Sequence, residues 1–88
     1  MKAEQRELFR DTILRSFRQM RGGMNLATLA VIVRSCGFKD FENADLEEDI
    51  QYFVDKGFLA DVPKSHSVAI KLWRITAAGI DDLEGRGI

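Results

Sequence analysis

The architecture turns on residues 46–59, Leu46-Glu47-Glu48-Asp49-Ile50-Gln51-Tyr52-Phe53-Val54-Asp55-Lys56-Gly57-Phe58-Leu59. Leu46, Ile50, Phe53 and Val54 recur at three- and four-residue spacing, which stacks them on one face of a helix. Gly57 ends that helix, and Phe58-Leu59 opens a β-prone run, so a helix feeds directly into a strand. The spacing predicts a helix over 43–56, with Asn43 or Asp45 as its cap and Glu48 closing a capping box with Asp45.

Toward the N-terminus, Leu8, Phe9, Thr12, Ile13, Ser16, Phe17 and Met20 share one face of a helix expected over 4–21, which Gly22-Gly23 terminates. Asn25 can cap a second helix over 26–36. Its side chains Leu26, Leu29, Ala30, Val31, Ile32 and Val33 are apolar almost all round, which predicts an internal helix with Cys36 as a buried small apolar residue. Gly37 stops it, and Phe38-Lys39-Asp40-Phe41 makes a turn able to tuck two rings against the core. Toward the C-terminus, 58–62 and 68–75 read as strands of an antiparallel hairpin turned through Pro63-Lys64-Ser65-His66-Ser67, and Thr76 caps a last helix over 77–84. The fold class expected is α+β, mainly α: a three-helix core, a β-hairpin and a short C-terminal helix, with 1–88 as one domain.

Composition agrees with a globular chain. Of 88 residues 45% are apolar and 31% charged, with a single Pro, which excludes disordered and collagen-like classes. The longest uncharged apolar run, Met24 to Val33, is about half what a bilayer span requires. The polar, mixed-charge start Met1-Lys2-Ala3-Glu4-Gln5-Arg6 is unlike an export signal, and with Cys36 as the only cysteine no internal disulfide forms; a cytoplasmic location is the default expectation. One His and one Cys cannot by themselves build a tetrahedral nitrogen–sulfur zinc site, and Cys36 on an apolar helix is a poor nucleophile for His66 to activate. No catalysis, cofactor, metal, small-molecule ligand or membrane partner is expected.

Two stretches carry a resemblance. Leu46-x3-Ile50-x2-Phe53-x3-Gly57-Phe58-Leu59 resembles the third helix and first wing strand of winged helix-turn-helix transcription regulators of the MarR, PadR and ArsR type. Trp73-Arg74-Ile75-Thr76-Ala77-Ala78-Gly79 is similar to the aromatic-x-Leu-Thr-x-x-Gly that closes their wing. The pattern spans residues 8 to 84. Alternation puts Trp73 and Ile75 on one face of a strand, and Gly79 lets the following helix approach a neighbour closely. The resemblance implies a DNA-binding regulator, a homodimer by analogy, whose third helix enters the major groove while the wing grips backbone or minor groove.

Charge is strongly segregated. Residues 12–39 hold five bases (Arg15, Arg18, Arg21, Arg34, Lys39) and no acid, whereas 40–61 hold eight acids against Lys56. The acidic block covers the helix that the resemblance assigns to the major groove, and its expected outward side chains are Asp45, Glu47, Glu48, Gln51, Tyr52 and Asp55. Such a face repels phosphate, since DNA affinity rests mainly on Lys and Arg. The basic footprint lies elsewhere: Lys64, His66, Lys71 and Arg74 on the wing, and Arg10, Arg18 and Arg21 grouped on the solvent side of the first helix. Lys39 and Gln51 complete the candidate contacts to double-stranded DNA. A histidine alone in an exposed turn is more often simply solvated, and any single surface charge often does no more than solubilise. The alternative is a protein-interaction module without DNA binding, in which Glu47, Glu48, Tyr52 and Asp55 dock a basic partner. Tyr52 and Phe41 either join such a patch or cap the core.

Overall fold

The computed structural model describes residues 1–63 and 71–88. Its elements are α1 (Ala3–Gln19), α2 (Leu26–Ser35), α3 (Asn43–Asp55), β1 (Leu59–Asp61), β2 (Trp73–Ile75) and α4 (Ala77–Gly85). Helix α1 ends at Gln19, two residues before the expected end, and Gly23 supplies the positive φ of +108° that turns the chain toward α2. Asn25 caps α2 by accepting from the Thr28 N–H at 2.8 Å. Helix α3 is capped differently from the expectation. Glu42 is already extended, so it takes the cap position, and its N–H donates to Asp45 Oδ2 at 2.8 Å. The capping box therefore sits three residues earlier, which releases Glu48 to face Arg6.

Strands β1 and β2 pair antiparallel in the register Leu59↔Ile75, Ala60↔Arg74 and Asp61↔Trp73. Strand β1 opens at Leu59 instead of the expected 58, because the Phe58 N–H donates back to the Phe53 carbonyl at 2.9 Å, while the Phe58 carbonyl still accepts from the Thr76 N–H at 3.0 Å. Residues 68–70, and the turn carrying Lys64 and His66, lie outside the described residues. An antiparallel bridge joins Met24 to Trp73, with both N–H···O bonds made, at 3.0 and 3.1 Å. The segment entering α2 thus runs along the free edge of β2.

The core is built from Phe9, Ile13, Leu14 and Phe17 of α1, Leu29 and Val33 of α2, Leu46, Ile50 and Phe53 of α3, with Leu59, Ile75 and Leu83 closing it. Each fully buried aliphatic or aromatic side chain contributes roughly 1.5–3 kcal/mol. At Gly79 an added Cβ would stand 2.5 Å from the Phe58 carbonyl oxygen, so glycine is what allows α4 to lie against the strand entry. Phe41 is buried with its ring 5.3 Å from that of Phe9, so it caps the core.

Three expectations are corrected. Leu8 and Met20, both placed on the apolar stripe of α1, are exposed, because that helix turns Phe9, Ile13 and Phe17 inward and leaves the edge of the stripe uncovered; Leu8 is 60% exposed. Helix α2 buries one side only, against α1 and α3, and Val31 is 63% exposed. Cys36 is exposed rather than buried, since it falls at the C-cap where the chain already leaves the core. No helix among the described residues is long and apolar enough to cross a membrane.

Candidate nucleic-acid interface and the acidic face of helix α3

Asp49 lies three residues after Leu46 and four before Phe53, so helical geometry turns it inward with the core stripe, and it is 0% exposed. A buried carboxylate needs compensating charge. Arg6 Nη2 donates to its Oδ1 at 2.9 Å and Arg10 Nε donates to the same oxygen at 3.0 Å, tying α1 to α3. Burial opposes the charge on Arg6, but the hydrogen bond and attraction from Asp49, joined by Glu48, outweigh it and hold the guanidinium above its ordinary value. Asp49 Oδ2 and Arg6 Nε are buried without a partner among the described residues, so the pair stops short of the two-pronged geometry that arginine and carboxylate favour.

This network redraws the expected basic footprint. Arg10 is committed to Asp49 and stacks its guanidinium 4.1 Å from the centre of the Tyr52 ring. Arg18 donates to the main-chain carbonyl of Ile88. Of the three arginines expected to cluster on α1, Arg21 alone is exposed. It sits in the turn before Gly23 and Met24, which the Met24–Trp73 bridge fastens beside β2. Arg74, exposed on β2, is in that neighbourhood and makes no ion pair among the described residues. Lys71 is exposed as well, 3.7 Å from Asp61 and 5.5 Å from the centre of the Trp73 ring. Lys39 is exposed near the start of α1, beside Leu8 and Phe38, apart from the wing. Lys64 and His66 lie outside the described residues.

On α3, Glu47, Glu48, Gln51 and Asp55 are exposed, Gln51 donates to Asp55 Oδ1 at 2.9 Å, and the helix carries no Lys or Arg. Asp45 and Tyr52 are half-buried, the latter against Arg10 with Lys56 5.1 Å from its ring. The helical spacing puts Glu47, Glu48 and Asp55 on the outer face, as observed, whereas Asp49 entered only the count of the acidic block and had no position assigned to it. The signal was available: Asp49 falls within the stripe of Leu46, Ile50 and Phe53, and Arg6 and Arg10 stand one helical turn apart. Also unforeseen is a cleft of about 540 Å³ between the first turn of α2, α3 and β2, floored by Leu26, Ala27, Ile50 and Trp73. Among the described residues no three metal-ligating side chains are grouped.

The crystal structure of a mutant MarR from E. coli superposes on this chain with a TM-score of 0.70 at 18% sequence identity, over 97% of this chain. The chain has the winged-helix fold. It spans about half the length of that relative, 54%. No protein-family model and no curated protein matches the sequence. In winged-helix terms β1 and β2 form the base of the wing, Met24 adds a short third partner to it, and α3 is the helix that follows the turn of the helix-turn-helix.

Proposed function

We propose that this chain is a winged-helix transcription regulator that binds duplex DNA through one edge of the wing and the α1–α2 turn, with α3 held off the phosphates. The observation that carries this reading is the Met24–Trp73 bridge, which brings the turn holding Arg21 alongside the strand holding Arg74. Both arginines are exposed, and neither has a carboxylate partner among the described residues. Lys71 lies two residues before the same strand, and Lys64 and His66, expected from the sequence to add to this edge, lie outside the described residues. Likeness to MarR supports a regulatory role at the level of fold.

The mechanism follows from charge. Each phosphate neutralised by Arg or Lys releases a condensed counterion, so affinity falls with salt at a log–log slope of roughly 0.9 per contact. Glu47, Glu48 and Asp55 on the outer face of α3 repel the backbone and leave base reading to the wing, or to acceptance from a cytosine amino group. An electrophoretic shift with random-sequence duplex at low salt tests the reading: a retarded complex is expected, and free DNA at tens of micromolar protein would remove it.

A second reading is favoured by the composition of α3, whose outer face bears carboxylates and no cation. There the chain docks a basic protein through Glu47, Glu48, Tyr52 and Asp55 without engaging DNA. Reversing Glu47 and Glu48 to Lys weakens capture of a basic partner on this reading, and unchanged capture argues against it.

A further inference from the structure

We propose that Gly23 is a positioning residue for DNA: it seats the α1–α2 turn on the main chain of the wing and so sets where Arg21 stands relative to Arg74. The inference rests on the wing-edge reading above and names what lets two arginines far apart in sequence act on the phosphate backbone together. Three observations meet at this residue. Its φ of +108° lies in the left-handed region, where an L side chain is strained. A Cβ placed there would stand 3.0 Å from the Trp73 carbonyl oxygen and 3.3 Å from Val62 Cγ2, so the turn touches both arms of the wing base with no room for a side chain. Its N–H donates to the Met20 carbonyl at 2.9 Å, which closes the turn containing Arg21. Gly22 has none of these features: it is not at positive φ, and nothing lies within 4 Å of where its Cβ would be. Of the two adjacent glycines, the geometry requires only the second.

What a side chain at position 23 would do follows from what is pinned on either side. After it, Met24 is buried and exchanges two N–H···O bonds with Trp73, at 3.0 and 3.1 Å. Before it, Phe17 is fully buried and holds the end of α1. Between these anchors Gln19, Met20, Arg21 and Gly22 are exposed. The chain can therefore relieve strain at residue 23 in two ways, by rotating that exposed stretch or by parting from Trp73. Both move Arg21 with respect to Arg74, whose strand is held by β1 through the Ala60↔Arg74 pair. Two cations on one rigid frame engage phosphates together, because the second contact needs no further ordering of the chain. Once the spacing is lost, Arg21 must be ordered separately and its contact drops out.

The test is the salt dependence of random-sequence duplex binding by the full chain, read for Gly23→Ala beside Gly22→Ala. Neither substitution changes a charge, and a merely structural defect lowers the amount of competent protein without altering the log–log slope, which counts phosphate contacts. Gly23→Ala should lower the slope by about 1, and Gly22→Ala should leave it at the native value. Adding Arg21→Ala to Gly23→Ala should bring no further fall, whereas adding Arg74→Ala should. Circular dichroism checks folding. If Gly23→Ala does not fold, one glycine inserted between Arg21 and Gly22 lengthens the turn while sparing the bridge to Trp73, and the same fall in slope is expected of it. A native slope in the folded variant, or an equal fall in Gly22→Ala, overturns the positioning role; the wing-edge reading still stands if Arg21→Ala alone lowers the native slope. A native chain that does not bind the duplex, or whose slope ignores both arginines, removes the wing-edge reading and this inference with it.

Discussion

Replacing Asp49 with asparagine probes the contact between α1 and α3. The substitution keeps the size of the side chain and the oxygen that accepts from both arginines, but it removes the negative charge that compensates them, the only carboxylate within hydrogen-bond reach of Arg10 among the described residues. Breaking a buried ion pair by changing one partner costs roughly 3–5 kcal/mol. Arg6 and Arg10 retain side-chain exposures of 26% and 34%, so they recover part of their hydration, and the low end of that range applies, about 3 kcal/mol. With an unfolding entropy of roughly 2.1 cal/mol/K per residue over this chain, that corresponds to a fall in Tm of about 16 °C. Urea unfolding followed by circular dichroism, with calorimetry on the same samples, measures both numbers. A triple replacement, Asp49→Leu with Arg6→Met and Arg10→Met, should restore most of the loss, because matched apolar side chains avoid the desolvation of all three charges. A loss below about 0.5 kcal/mol for Asp49→Asn would mean that the carboxylate is not held by both arginines and that Arg10 is free for other work.

Gly79→Ala should destabilise the fold by roughly 2–3 kcal/mol, since its Cβ would press on the Phe58 carbonyl oxygen and on Ile75 Cγ1; a neutral result in urea unfolding would contradict the close approach of α4. Thr76→Ala should cost about 1–2 kcal/mol, because the hydroxyl accepts from the Gly79 N–H at 3.1 Å and donates to the Gly57 carbonyl at 2.6 Å, and the same unfolding experiment checks it. Cys36 should react with an aromatic disulfide reagent in the folded protein at a rate near that of the denatured chain, and modification that waits for unfolding would place it back in the core.

The parts of the fold legible in the sequence are those set by local period and by chain breakers. Leu46, Ile50 and Phe53 followed by Gly57 and Phe58, and Trp73-Arg74-Ile75 followed by Thr76 and Gly79, each encode a helix–strand junction within a few residues. The Met24–Trp73 bridge was not legible, because a single paired residue leaves no periodic trace. The same holds for the fate of Arg10 and Arg18, whose partners Asp49 and Ile88 are 39 and 70 residues away. Charge counting by blocks found the acidic surface but could not see that Asp49 belongs to the interior, since an acid on the apolar side of a helix has the same sign as one on the outside. Helices α1 and α2 were read as more deeply buried than they are. Leu8 and Val31 continue an apolar pattern, yet three helices and a short hairpin cover only one side of each.

Salt-dependent binding of a random-sequence duplex by the native chain and by the Arg21→Ala, Arg74→Ala double variant bears on the wing-edge reading with the fewest intervening assumptions. The native chain should bind at low salt, and removing the two arginines should lower the log–log salt slope by about 2 while Arg10→Ala and Arg18→Ala leave it unchanged. An unaltered slope in the double variant, or a slope that falls only when Arg10 or Arg18 is replaced, would show that the edge joined by Met24 and Trp73 is not where this protein holds DNA.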